Sequence, residues 1–73
     1  MSKERRSYTP KEVEKILLSK GFALKRQTGS HRIYHHSATK ATVVVPFHSR
    51  DIPRGTLRSI VQQAKLKMRE FQA

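Results

Sequence analysis

The sequence predicts an α+β domain in which a three-stranded antiparallel sheet carries two helices packed on one face. Apolar residues recur at helical spacing near both ends of the chain, and short segments rich in β-branched residues lie between them. Two short polar turns separate these segments, so the predicted order is α-β-β-β-α. The 73 residues make a single domain, 1–73, with a flexible basic N-terminus at 1–7 and a C-terminal extension at 67–73.

The first helix has a clear predicted start and end. Thr9 can cap the first N–H groups, Pro10 fits the first turn, and Glu12 completes a capping box. Gly21 ends the helix, because glycine adopts the left-handed conformation without a Cβ clash. An apolar stripe lies on one helix face: Val13, Ile16 and Leu17.

Alternating side chains predict the first two strands. Phe22 and Leu24 alternate with smaller or charged residues, which is typical of a half-buried strand. Residues 28–30 form a turn, and residues 31–36 form the second strand. In that strand Ile33 has the character of a core residue.

The third strand is expected to be the best buried. It follows a polar turn at 37–40 and consists of the β-branched and apolar residues 41–45. Pro46 ends it, because proline cannot donate a hydrogen bond to a neighbouring strand. The three strands therefore form an antiparallel meander.

The second helix follows a loop at residues 47–53. It begins between Pro53 and Thr56, and its apolar stripe consists of Leu57, Ile60, Val61 and Ala64. Residues 66–71 are expected to extend this helix, with Met68 and Phe71 covering the edge of the core.

The charge of the chain suggests a polyanionic partner. Sixteen Lys and Arg against five Asp and Glu give a net charge of +11, and neutralising phosphates releases counterions that draw basic proteins onto nucleic acid. The absence of cysteine excludes disulfides and thiolate metal sites. No apolar stretch suits a signal peptide or a membrane span, so a cytoplasmic protein without membrane contact is expected. No P-loop, dinucleotide or nucleophilic-serine motif occurs.

The four histidines allow three interpretations. A zinc site would need three or four convergent ligands, whereas His36 would point away from His31 and His35 on one strand. We therefore predict no metal and no cofactor. A solvated polar strand is the default interpretation of His35 and His36. The third interpretation is catalytic, since histidine can move a proton from the RNA 2′-hydroxyl and to the leaving 5′-oxygen near neutral pH.

His31 is the best catalytic candidate by position. It follows Gly29 and Ser30, where the backbone can approach a phosphate closely. Arg26 and Arg32 flank it and can hold phosphate oxygens. A histidine beside arginines can also bind phosphate without cleaving anything, so the residues alone leave both interpretations open.

Four short motifs carry a resemblance to a known family over residues 8–66. Taken in order, they are Lys20-Gly21-Phe22, Gly29-Ser30-His31, Val45-Pro46-Phe47-His48, and Gly55-Thr56-Leu57 followed by Ile60. Together and at these separations they resemble the HicA toxins, also called the YcfA family of mRNA interferases. One departure is Lys65-Leu66-Lys67, where the family often has a glycine, which predicts that the last helix continues further.

The resemblance implies a fold and an activity. It implies a reduced double-stranded-RNA-binding-domain-like fold and a toxin that cuts mRNA without metal through His31, which inhibits translation and growth. It also implies a HicB-like antitoxin that covers the active site, and the basic charge predicts an acidic face on that partner. Strict alternation places His31 on the face of Ile33, so either a bulge redirects His31 or the site lies at the sheet edge.

The leading hypothesis is a metal-independent endoribonuclease. His31 would act as general base or acid, Gly29 and Ser30 would shape the turn, and the product would carry a 2′,3′-cyclic phosphate. The second proton-transfer group is unnamed, and water is one candidate. The residues expected to contact the RNA backbone are Lys25, Arg26, Arg32 and Lys40. The rivals are a non-catalytic double-stranded-RNA-binding module and a protein whose basic face docks an acidic partner.

Overall fold

The computed structural model describes residues 8–48 and 50–71, and the predicted flexible segment 1–7 lies outside them. The observed elements are helix α1 (Pro10–Ser19), strands β1 (Ala23–Thr28), β2 (His31–His35) and β3 (Thr42–Pro46), helix α2 (Arg54–Gln63), and a 3₁₀ turn at Met68–Glu70. The strands form an antiparallel sheet in the order β1-β2-β3. The predicted α-β-β-β-α architecture is confirmed.

Helix α1 begins and ends as its sequence predicts. Glu12 N donates to Thr9 Oγ1 at 3.2 Å, and Thr9 N donates to Glu12 Oε1 at 2.9 Å, which completes the capping box. Gly21 adopts φ +97° just after the helix, where the left-handed region suits glycine. The chain then enters β1 through the buried side chain of Phe22.

The core lies between the helices and one face of the sheet. In β3 the buried residues Val43 and Val45 alternate with more exposed ones, and in β2 the buried Tyr34 lies between two less buried residues, as expected for a sheet that is covered on a single face. The buried strand side chains are Tyr34, Val43 and Val45. The buried helix side chains are Pro10, Val13 and Leu17 of α1 and Leu57, Ile60 and Val61 of α2.

Two burial predictions for the strands were wrong. All six residues of β1 are exposed, and Leu24 is 46 % exposed, so β1 is not half-buried. The helices pack mainly on β3, which leaves β1 at the far edge of the sheet. Ile33 lies outside the core cluster because it alternates with Tyr34, whose side chain takes the covered face.

The C-terminal segment also differs from the prediction. Helix α2 ends at Gln63, and Lys65 adopts φ +60°, so a lysine takes the left-handed position that glycine usually occupies after a helix. The chain turns back instead of continuing as a helix. Phe71 is buried, and Tyr8 Oη donates to its carbonyl at 2.6 Å; Met68 packs against the core as predicted.

Candidate active site on the open sheet face

The face of the sheet opposite the helices is called the open face here. Antiparallel register pairs its residues across β2 and β3, and paired residues share a face. The pairs are His31 with Pro46, Ile33 with Val44, and His35 with Thr42. Val44 is 40 % exposed, which shows that the helices do not cover this side.

His31 lies at one end of the open face with an exposed side chain. It is the first residue of β2 and pairs with Thr28 of β1 as well as with Pro46 of β3. Gly29, two residues before His31, adopts the left-handed conformation at φ +57°. The tight turn between β1 and β2 requires this conformation. Since Ile33 is not a core residue, His31 can share its face and still meet solvent. Normal strand alternation thus removes the conflict expected from the sequence.

A second imidazole lies beside His31. The ring centroids of His31 and His48 are 5.7 Å apart, and their planes meet at 72°. The backbone holds this arrangement, because Phe47 N donates to the Ser30 carbonyl at 2.6 Å just beyond the His31–Pro46 pair. His48 belongs to one of the four sequence motifs, but the sequence pattern does not indicate which residue it contacts. The register of β2 against β3 is the signal that would have paired the two histidines.

The basic residues that were predicted to contact RNA do not all lie at the same end of the sheet. Arg26 is exposed and pairs with Ile33, so it lies on the open face diagonally from His31. Lys25 is exposed at a bulge in β1, where the register shifts between Leu24 and Arg26. Lys40 lies in the turn between β2 and β3 at the opposite end of the sheet, with φ +65°. Of these cations, Arg26 and Lys25 lie on the strand next to His31.

Arg32 is not brought to the same face as His31. Its Nη1 donates to Glu14 Oε2 at 2.9 Å, its Nε donates to Gln27 Oε1 at 3.2 Å, and its guanidinium lies 4.2 Å from the centroid of the Phe47 ring. The hydrogen bond to Glu14 raises the pKa of Arg32 above its usual value. Its side chain is 30 % exposed, so it spans the rim between the sheet and α1.

Tyr34 completes this network on the covered face. Its hydroxyl donates to the same Glu14 Oε2 atom at 2.6 Å. Burial, together with the hydrogen bond to Glu14, raises the pKa of the Tyr34 phenol above its usual value. The phenol therefore stays neutral and acts as a donor, and Glu14 ties helix α1 to strand β2 through two side chains.

Comparison with known proteins agrees with this architecture. The family model for the HicA toxin of bacterial toxin–antitoxin systems matches residues 10–66, from the first residue of α1 to just beyond α2. The chain belongs to the HicA toxin family. This HicA protein is thus a toxin of a toxin–antitoxin system and has an antitoxin as partner. A comparison with curated protein sequences finds no match.

The other two histidines of this HicA toxin have local contacts. His35 Nδ1 lies 3.2 Å from Thr42 Oγ1 in a cross-strand pair. His36 Nδ1 accepts hydrogen bonds from the backbone N–H groups of Ala38 and Thr39, both at 3.2 Å, and its ring meets Phe22 edge-on at 5.1 Å between centroids. His36 thus supports the turn between β2 and β3.

The described part of the HicA chain lacks both a metal-binding cluster and a membrane-spanning helix. Across residues 8–48 and 50–71, no group of three or more His, Asp or Glu side chains is arranged to hold a metal ion. Within the same residues, no helix combines the length and the apolar character that crossing a bilayer requires.

Proposed function

We propose that this HicA toxin is a metal-independent endoribonuclease that cleaves mRNA, with His31 as its catalytic residue. The observation that supports this most directly is an exposed imidazole at the end of an uncovered sheet face, next to a tight turn. The turn residue Gly29 has nothing within 4 Å of the position where a Cβ would stand. A phosphate can therefore approach the backbone of Gly29 and Ser30 closely.

The chemistry follows from what an imidazole can do near neutral pH. RNA carries its own nucleophile, the 2′-hydroxyl, and cleavage needs that oxygen to lose a proton and the 5′-oxygen to gain one. His31 performs one of these transfers. The 2′-oxygen then attacks the adjacent phosphorus, and the products are a 2′,3′-cyclic phosphate and a 5′-hydroxyl end.

Positive charge on the sheet suits the RNA backbone. Arg26 and Lys25 lie on the strand next to His31 and would hold phosphates beside the scissile bond. Lys40 lies at the other end of β2, roughly 13 Å along the sheet at a strand rise of about 3.3 Å per residue. It would contact RNA further from the cut. Arg32 is engaged with Glu14 and supports the sheet instead.

The same face suits a HicB-like antitoxin. The helices leave the open face uncovered, and the chain carries a net charge of +11. A partner with an acidic surface would bind this face, neutralise its cations and block access to His31. Once the antitoxin is lost, the toxin would cut mRNA in the cytoplasm and stop translation and growth.

The test is cleavage of an end-labelled mRNA by the purified toxin in EDTA. We compare the parent with His31→Ala and with His35→Ala, which removes the same side chain from the same strand and face. Loss of a general acid or base costs about 10²–10⁴-fold in rate, so His31→Ala should fall by at least about 10² while His35→Ala stays near the parent. Thermal unfolding and RNA binding show that each variant is folded.

Three other results would overturn the proposal in different ways. If neither parent nor variant cuts but both bind RNA, the protein is a non-catalytic RNA-binding module. If there is no RNA binding at about 150 mM salt, where charges beyond about 8 Å are screened, the basic face docks a protein. If His31→Ala cuts at the parental rate, the ribonuclease is real but His31 is not its catalytic residue.

A further inference from the structure

Cleavage of RNA through its 2′-hydroxyl needs two proton transfers, and a single imidazole such as His31 carries out only one of them at a time. The 2′-oxygen must lose a proton, and the 5′-oxygen on the opposite side of the same phosphorus must gain one. A second group must therefore lie within reach of the same phosphate. His48 meets this requirement, because its ring centroid is 5.7 Å from that of His31.

The strand register explains why His48 is placed there. Pro46 pairs with His31 on the open face, and Phe47 turns its half-buried ring toward the core and toward Arg32. His48 lies two residues beyond the end of β3, and the contact between the two rings places it on the side of His31. The hydrogen bond from Phe47 N to the Ser30 carbonyl, at 2.6 Å, fixes the residue that precedes His48.

Both rings are also accessible to a substrate. The side chains of His31 and His48 are exposed, and they meet edge to face, so their outer edges border one patch beside the turn. Each ring nitrogen would act across a hydrogen bond of about 3 Å, a reach that lets two rings at this separation contact opposite sides of one phosphate.

The remaining histidines lie elsewhere. His35 pairs with Thr42 at the far end of β2, and His36 accepts two backbone hydrogen bonds in the turn that follows. These contacts of His35 and His36 lie away from His31. Among the four histidines, His48 is the one whose ring contact is with His31.

We propose that His48 is the second proton-transfer group of the ribonuclease, so that His31 and His48 divide general-base and general-acid catalysis between them. One imidazole takes the proton of the 2′-hydroxyl as the 2′-oxygen bonds to phosphorus. The P–O5′ bond breaks, and the other imidazole, which starts protonated, gives its proton to the departing 5′-oxygen. Exchange with solvent then restores both histidines, so protons and charge balance.

A substrate with a sulfur leaving group tests this division of labour. After the cut site is mapped on mRNA, a short RNA is made with sulfur in place of the bridging 5′-oxygen at that site. A thiol is a far stronger acid than an alcohol, so the sulfur leaves as a thiolate without a proton. Losing the general acid then costs little, whereas losing the general base still slows cleavage.

The experiment measures single-turnover cleavage of the oxygen and sulfur RNAs by the parent, His31→Ala, His48→Ala and the control His35→Ala. On the oxygen substrate we expect each of the first two substitutions to slow cleavage by at least about 10²-fold, and the control to leave the rate unchanged. On the sulfur substrate, one of the two slow variants should recover to within about tenfold of the parent, and the other should stay slow. Binding to an RNA with a 2′-deoxy nucleotide at the cut site should be unchanged.

Because this assignment rests on the proposed ribonuclease activity, the two fail differently. If the parent does not cut, the proposed function fails and the assignment with it. If the parent and His48→Ala cut the oxygen substrate equally fast, the ribonuclease stands and His48 has no catalytic part. If His48→Ala is slow but the sulfur RNA rescues neither variant, neither histidine is the general acid, and the division of the two proton transfers between His31 and His48 is overturned.

Discussion

Arg32 Nη1 lies 2.9 Å from Glu14 Oε2, so the residue that follows His31 in the sequence is held against helix α1. Strand alternation turns neighbouring side chains to opposite faces. His31 therefore meets solvent on the open face while Arg32 joins the sheet to the helix. His31 and Arg32, which are neighbours in the sequence and look like parts of one phosphate-binding site, therefore have different surroundings in the fold.

The two faces of the sheet predict different effects for two substitutions that each remove one positive charge, at Arg26 and at Arg32. Arg26→Gln should weaken RNA binding without changing thermal stability, because Arg26 is exposed on the open face. The dependence of the RNA-binding constant on salt concentration should decrease by the equivalent of about one phosphate contact. Arg32→Gln should lower the midpoint of thermal unfolding, since it loses a partly exposed ion pair and an aromatic contact. Binding titrations at several salt concentrations and thermal unfolding measure both. Equal losses of RNA affinity in two equally stable variants would contradict this assignment.

The Tyr34 hydroxyl is predicted to stabilise the fold through Glu14. Tyr34→Phe keeps the buried ring but removes the 2.6 Å hydrogen bond to the carboxylate. Hydrogen bonds to charged groups contribute about 1.5–3 kcal/mol, and the substitution should lower the free energy of unfolding by about 1–2 kcal/mol because Arg32 still pairs with Glu14. Urea denaturation would show a lower midpoint with an unchanged slope. An unchanged midpoint would mean that water replaces the hydroxyl without loss.

Glycine is predicted to be required at position 21 but not at position 55. Gly21 has φ +97°, and an added Cβ would stand 2.7 Å from His36 Nε2, so Gly21→Ala should destabilise the protein by about 1–2 kcal/mol or more. His36 cannot simply move away without losing its hydrogen bonds to Ala38 and Thr39.

Gly55→Ala is the matched control for this prediction. Gly55 lies in α2, and an added Cβ would have nothing within 4 Å. Alanine there should be neutral or stabilise the protein by up to about 1 kcal/mol. Thermal unfolding measures both variants, and a similar effect at the two sites would show that backbone conformation does not decide the outcome.

Glu70 is predicted to contribute to the loss of stability in acid. Lys67 N donates to Glu70 Oε2 at 2.9 Å and Lys20 Nζ lies 3.4 Å from Oε1, and these contacts lower the pKa of Glu70. The folded state therefore favours the charged carboxylate. The stabilisation that the Glu70 carboxylate gives the fold is present at pH values above its ordinary pKa of about 4.5. It is lost as the pH falls through the lower pKa that Glu70 has in the folded state. Unfolding free energies measured from pH 6 down to about pH 3 should fall less steeply for Glu70→Gln than for the parent, and equal slopes would count against the contact.

Several features could be predicted from the sequence because they depend on neighbouring residues. The capping box at Thr9 and Glu12 and the helix stop at Gly21 are local signals, and the structure confirms them. The apolar stripe of α2 is also confirmed, since helical spacing alone puts Leu57, Ile60 and Val61 on one face. The exception was Lys65, which adopts a conformation that its residue type rarely takes.

The sequence by itself determined the order of helices and strands, the family of the toxin, and His31 as the candidate catalytic residue. Only the tertiary structure decided which face of the sheet the helices cover, and that choice places Ile33 outside the core and Arg32 beside Glu14. It also decided that His48 lies next to His31. The physical reason is that caps and turns are set by bonds between near neighbours, whereas faces and register are set by packing between segments far apart in the chain.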